Sequence, residues 1–240
     1  MGVLYNSRIV TDGLVLCLDA GDKMSYPGAG TTWYDLSKNK FAPSLINSPT
    51  FSTDNAGYFL FDGTNDEVDC NFTGADVGIQ GTDKATMSVW YKKTGTAGTI
   101  TQELLGDGDF GRFSMRVFNT STSFQLFING SSHNAISYSP GFYSWNNFVF
   151  VYDGANKKLY ANGEFVSQYP VTGVFSSMTN NFHIGNAADG TRLLNGNIAL
   201  ANMYNRALSA EEIKQNYKAT KGRFGLWYIL MENYYNGNII

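Results

Sequence analysis

The chain has 240 residues, 43% of them hydrophobic and 15% aromatic, with a formal charge of −3. This is enough apolar material for one large β domain or two small ones, and too much for a disordered chain. The slightly acidic balance, with no lysine and arginine cluster outside a short C-terminal helix and its exit, argues against nucleic acid as a ligand, and no apolar run approaches the roughly 18 residues of a membrane span.

In chain order, the segment Met1 to Arg8 lacks a basic stretch followed by an apolar core, so no signal peptide is read and synthesis in a cytoplasm is expected. Strand patterns then follow at 14–19, 58–62, 67–72, 86–92, 112–118, 123–129, 147–152, 158–161, 164–168, 181–185 and 198–204. Such a series of short strands, with glycine and asparagine supplying about a fifth of all residues as turn formers, predicts a sandwich or jelly roll. Asn129-Gly130 and Asn162-Gly163 are hairpin turns, because both residue types tolerate the positive φ of a type I′ turn. Phe113, Met115 and Val117 alternate with Arg112, Ser114 and Arg116 and assign one face to a core. Phe148 to Tyr152 is apolar on both faces and is expected at the centre of a sheet.

The single helix signal is Leu208-Ser209-Ala210-Glu211-Glu212-Ile213. Ser209 stands at an N-cap, Glu212 three residues on can return a bond to the cap, and Leu208 and Ile213 occupy the two positions of a hydrophobic staple. Few prolines and no charge block interrupt the spacing, so one domain over 12–224 is expected, with an N-terminal arm (1–11) and a C-terminal tail (225–240). Cys17 and Cys70 have no metal-ligand spacing and read as buried free thiols, with a disulfide left open should their strands be neighbours.

Several stretches together resemble the concanavalin A-like lectin/glucanase superfamily in its laminin G-like jelly-roll branch. They are Leu14 to Ala20, Trp33-Tyr34-Asp35-Leu36-Ser37, Phe61-Asp62-Gly63-Thr64-Asn65-Asp66, Trp145-Asn146-Asn147-Phe148, His183-Ile184-Gly185, Gly196-Asn197-Ile198-Ala199 and Tyr204 to Ser209 with its helix. The resemblance implies an all-β, antiparallel jelly-roll sandwich with one short C-terminal helix. A narrower likeness, in Ile9-Val10-Thr11-Asp12-Gly13-Leu14, in Ser25-Tyr26-Pro27-Gly28 and in Asn216 to Phe224, is to versions of this domain in virion structural proteins of tailed bacteriophages. That likeness implies a non-enzymatic particle component located in the virion, whose partners are other virion proteins or further copies of itself. The alternative it leaves is a lectin-like module that attaches to host glycan.

The superfamily's glucanases carry Glu-x-Asp-x-x-Glu on one strand face, and the nearest stretch here, Glu67-Val68-Asp69-Cys70-Asn71-Phe72, lacks the second glutamate. No catalytic residue is therefore assigned. His183 reads as a structural histidine and His133 as a loop residue, with no nucleophile beside either. For calcium, which the family often binds, the candidate ligands are Asp62 and Asp66 in one turn and Asp107 and Asp109 in another, although both stretches also read as ordinary turns. For a glycan, the candidate stacking aromatics are Trp33, Tyr34, Tyr143 and Trp145. The tail presents Leu226, Trp227, Tyr228, Ile229, Leu230 and Met231, then Tyr234 and Tyr235. An apolar run of this kind must be covered, either by a partner subunit or by the protein's own sandwich.

Overall fold

Period-two alternation places Phe113, Met115 and Val117 together with Phe148, Phe150 and Tyr152 in one inter-sheet core. The computed structural model, which describes residues 8–108, 111–120, 123–137 and 143–226, builds this core between two antiparallel sheets. The strands among the described residues are β1 (Leu14–Asp19), β2 (Ser44–Ile46), β3 (Thr50–Ser52), β4 (Tyr58–Asp62), β5 (Glu67–Asp69), β6 (Ala85–Lys93), β7 (Thr101–Gly106) and β8 (Phe113–Phe118). They continue as β9 (Ser123–Ile128), β10 (Ser131–Ser137), β11 (Asn146–Tyr152), β12 (Asn156–Ala161), β13 (Glu164–Pro170), β14 (His183–Ile184) and β15 (Asn195–Tyr204). Helix α1 (Ala210–Thr220) and a 3-10 turn (Lys221–Phe224) follow.

One sheet has eight strands in the order β13-β12-β11-β6-β15-β4-β3, with β1 added beside β15. The other has seven, in the order β10-β9-β8-β7-β14-β5-β2. The expected all-β sandwich with one C-terminal helix is therefore the observed architecture. Both Asn-Gly turns adopt the positive φ pair, 49° and 77° at Asn129-Gly130 and 53° and 81° at Asn162-Gly163.

Four strands escape the sequence patterns for local reasons. β2 and β3 have three residues each and are separated by Asn47 and Ser48, both at positive φ. In β7, Gln102 and Glu103 are buried beside Leu104 and Leu105, which erases the alternation. β10 is rich in serine and takes in His133, which is a strand residue rather than the expected loop residue. The expected strand at 181–185 shrinks to two residues.

The eight-stranded sheet has apolar residues on both faces, so its outer face needs a cover. Val149, Val151, Tyr160, Tyr204, Leu14 and Cys17 meet Leu208 and Ile213 from the helix side, with Ile9 and Val10 packed against them. The capping box forms: Glu212 N–H donates to Ser209 Oγ at 3.3 Å, and Ser209 N–H to Glu212 Oε2 at 2.9 Å. Beside this cluster, Trp90 stacks on Phe224 at 4.1 Å and on Tyr217 at 5.8 Å between ring centroids, Trp145 lies 4.9 Å from Phe224, and Leu226 joins them.

Polar bonds fasten residues 8–10 and the segment from α1 through the 3-10 turn to this same side of the molecule. Val10 N–H donates to Asn216 Oδ1 (2.8 Å), Tyr204 OH donates to Val10 O (3.0 Å), and Gln215 Nε2 donates to Arg8 O (2.8 Å). The Arg223 guanidinium donates to Asn55 O (2.6 Å), to Gly57 O and to the Asp19 carboxylate. Residues 8–10, assigned by sequence to an arm, are thus packed onto the domain. Both cysteines are buried and unpaired, Cys17 under the helix and Cys70 between the sheets. Burial, with Asp19 and Asp35 nearby, pushes the Cys17 thiol up to about 12.

Phe224 is the residue through which the 3-10 turn grips both tryptophans. Phe224→Ala should cost about 3 kcal/mol in urea unfolding, with a red shift of tryptophan emission in the folded baseline as Trp90 and Trp145 gain water.

Candidate functional site

With the outer face of the eight-stranded sheet sealed, the outer face of the seven-stranded sheet is where polar side chains collect. The register aligns Asp69 with His183, His183 with Gly106, Gly106 with Ser114 and Ser114 with Phe127. Two residues along, Glu103 stands opposite Arg116, and Arg116 opposite Gln125. Because Val68, Met115, Val117, Leu126 and Ile184 point into the core, alternation turns Glu67, Asp69, His183, Ser114, Arg116, Phe118, Gln125 and Phe127 outward.

The centre of this face is a closed ion pair. Arg116 Nε donates to Glu103 Oε2 at 2.6 Å, Ser114 Oγ donates to Glu103 Oε1, and Arg116 Nη2 donates to Gly108 O at 3.2 Å. Both charged side chains are buried, and the guanidinium lies 4.1 Å from the centroid of the Phe127 ring. A buried pair so fully bonded fixes geometry, and removing one partner would strand a charge. Gly106 is needed here, since a Cβ at that position would fall 2.3 Å from Glu103 Oε1. Asp107, next in the chain, accepts N–H bonds from Arg112 (2.9 Å) and Phe113 (3.2 Å) through Oδ1. Burial, helped by the neighbouring Glu103 charge, pushes its carboxyl up to about 6 against those bonds.

To one side lies an acidic end. Glu67 and Asp69 are half-buried on β5. Asp69 Oδ1 accepts from Asn71 N–H (2.8 Å) and from Asn181 Nδ2 (2.9 Å). Burial raises the Glu67 carboxyl, opposed by the adjacent His183 and a bond to Asn186. His183 is 7% exposed, and its Nδ1 has no hydrogen-bond partner. To the other side, on β8 and β9, Phe118 and Phe127 are half-buried around Gln125. The face can therefore hydrogen-bond hydroxyls at one end and pack an apolar ring face at the other, the combination that sugar recognition uses.

The residues expected to bind glycan do not converge. Trp33 is fully buried against Phe59, and Trp145, at 8% exposure, belongs to the aromatic cluster under the C-terminal turn. Each is core because its strand neighbours enclose it, so neither can stack on a sugar. Tyr34 and Tyr143 are exposed, at 48% and 67%. Of the proposed calcium ligands, Asp62 is exposed and accepts Thr64 N–H (2.7 Å), while the buried Asp66 accepts Asp62 N–H (3.1 Å), so both carboxylates close their own turn. Asp107 is described above, and Asp109 lies outside the described residues. Among the described residues, no group of three or more His, Cys, Asp or Glu side chains converges as a metal-ligand set. Of the proposed partner-binding tail, Leu226 packs on the aromatic cluster, and Trp227, Tyr228, Ile229, Leu230, Met231, Tyr234 and Tyr235 lie outside the described residues.

Sequence reading had noticed Glu67, Asp69 and His183 separately but not together, and it missed Glu103, Arg116 and Phe127. The available signal was the outward set of β8, where Ser114 and Arg116 alternate with core residues.

A family profile described as the concanavalin A-like lectin/glucanases superfamily matches residues 47–214. No curated protein matches the chain by sequence. Among solved structures, a domain from botulinum neurotoxin type C, whose cell entry depends on interaction with two ganglioside molecules, superposes with a TM-score of 0.67 at 16% identity, over 88% of this chain and 52% of that one. The receptor-binding domain of botulinum neurotoxin type G gives 0.62 at 15%, over 86% and 51%, and Trypanosoma rangeli sialidase 0.64 at 14%, over 88% and 33%. The chain thus spans about half the length of the toxin domains it matches, and at these identities the likeness is one of fold.

The raised Asp107 carboxyl yields a stability signature. Since the folded state holds this proton more tightly than the unfolded chain, the group's contribution to stability is lost as pH rises from about 4 through about 6. Asp107→Asn should remove that loss and stabilise the domain at pH 7 by on the order of 2 kcal/mol, read as a flatter melting-temperature profile between pH 4 and 7.

Proposed function

Since the chain belongs to the concanavalin A-like lectin/glucanase superfamily, we propose that it is a non-enzymatic carbohydrate-binding domain, mounted through the face that carries residues 8–10 and helix α1 and presenting the opposite face to a glycan. One observation carries this reading. Residues 8–10, helix α1 and Leu226 all pack on the outer face of the eight-stranded sheet, while the polar groups, with a His183 whose Nδ1 has no hydrogen-bond partner, lie on the outer face of the other sheet. Ligand and attachment therefore have separate surfaces.

Binding rather than hydrolysis is supported by the carboxylates themselves. Glu103 is neutralised by Arg116, Asp69 is bonded to Asn71 and Asn181, and the position of the glucanases' second glutamate is Phe72, which points into the core. The finer reading, a virion structural or decoration protein of a tailed bacteriophage, rests on the sequence likeness described above and draws support from the packing of Ile9, Val10, helix α1, Phe224 and Leu226 on one face. In that setting the tail from Leu226 to Tyr235 joins a neighbouring virion protein or another copy, and the sugar-binding face serves attachment to the host.

A glycan array probed with the intact chain should give signal for a defined sugar class without release of reducing ends. Gln125→Ala and Phe118→Ala should each weaken it at least tenfold while the melting temperature stays within a few degrees. If Tyr34→Ala or Tyr143→Ala abolishes binding and the sheet variants do not, the loops bind the ligand and the sheet-face assignment is wrong. A chain ending at Phe224 should keep its sugar affinity and lose association with its particle in co-sedimentation.

A further inference from the structure

The charge of the proposed binding face limits what it can take. Glu67 and Asp69 are the half-exposed carboxylates at its acidic end, and Asp107 lies buried nearby. Of the arginines nearby, Arg116 is paired with Glu103 and lies on the Phe127 ring, Arg192 is paired with Asp189 at 3.1 Å, and Arg112 donates to Ser177 O at 2.7 Å. An anionic ligand at this end would thus meet the Glu67 and Asp69 carboxylates, with Arg116 and Arg192 already neutralised by carboxylates of their own.

A second, independent feature points to a ligand at this end. His183, more than nine-tenths buried between Asp69 on β5 and Gly106 on β7, keeps a ring nitrogen without a partner. Buried polar atoms are normally bonded, and one left open beside accepting carboxylates suits a hydroxyl or amine that can bond to both.

We infer that the sheet face selects uncharged or amine-bearing sugars and rejects sialic acid, uronic acid and phosphorylated glycans. This rests on the carbohydrate-binding reading above. It adds a discrimination which the fold itself does not specify, because the determinants are Glu67, Asp69 and the committed state of Arg116.

The test uses matched pairs of oligosaccharides that differ by one acidic group, such as lactose against 3′-sialyllactose and chito-oligomers with and without a uronic acid, measured by calorimetry on the intact chain. In each pair that binds, the uncharged or amine-bearing member should be at least tenfold tighter, about 1.4 kcal/mol. In the Glu67→Gln/Asp69→Asn double variant that gap should narrow at least fivefold. On the unmodified chain, raising NaCl should strengthen the acidic member relative to its partner, as screening weakens the repulsion; this keeps the inference testable should the double variant fail to fold. Equal or tighter binding of acidic members, or a gap insensitive to salt, overturns the inference while leaving carbohydrate binding intact. Absence of binding across the whole panel overturns the carbohydrate reading and the inference with it.

Discussion

Every residue of β11 is buried, and the structure is organised around that two-sided burial. Phe148, Phe150 and Tyr152 face the inter-sheet core, while Val149 and Val151 face outward, where water would otherwise reach them. A sheet apolar on both faces must be covered twice. The seven-stranded sheet covers one face, and the other is covered by a capped helix and a 3-10 turn that follow β15, together with Ile9 and Val10 from before β1. The positions of residues 8–10, of α1 and of the 3-10 turn follow from this solvation requirement.

The same requirement assigns the two outer surfaces different work. Helix α1 is held by polar bonds that would be costly to leave unmade: Asn216 joins Val10 and Tyr204, Arg206 pairs with Glu212, and the Arg223 guanidinium is enclosed by backbone oxygens and Asp19. These lock the helix onto the outer face of the eight-stranded sheet. The seven-stranded sheet needs only one apolar face, so its outer positions are free to be polar, and they hold a bonded Glu103–Arg116 pair flanked by acids and a histidine on one side and two phenylalanines on the other. The difference between a covered and an open polar outer surface is thus a consequence of which sheet is apolar on both sides.

Buried charge recurs where the sheets approach each other. Lys157 is fully buried and donates to Leu126 O at 2.9 Å and Ser131 O at 2.6 Å, tying β12 of one sheet to β9 and the start of β10 in the other. Burial brings its ammonium down to about 8. Lys93 makes a similar reach to Phe118 O and Asn119 O. These lysines bond backbone carbonyls across the gap between the sheets, so polar residues in this sandwich also serve the backbone.

Local signals in the sequence determined the all-β class, the Asn-Gly hairpins, the capping box and the central place of β11, because each depends on residues within a few positions: a positive φ, a hydroxyl three residues before a glutamate, an apolar run. Strands lacking such a signal, the three-residue β2 and β3 and the polar-rich β7, were illegible because only their partners make them strands. The candidate site was legible one residue at a time. Glu67, Asp69 and His183 each stood out, but Asp69 and His183 are 114 positions apart and are joined only by the β5–β14 register, and Glu103 meets Arg116 through the β7–β8 pairing. Trp33 and Trp145 looked like surface aromatics from their loop-like neighbours, yet both are buried, since burial is set by what distant segments bring alongside. Sequence fixes alternation and turns, which are properties of adjacent residues; which outward face is covered and which groups meet on the open one are decided by long-range pairing, and only the tertiary structure expresses that.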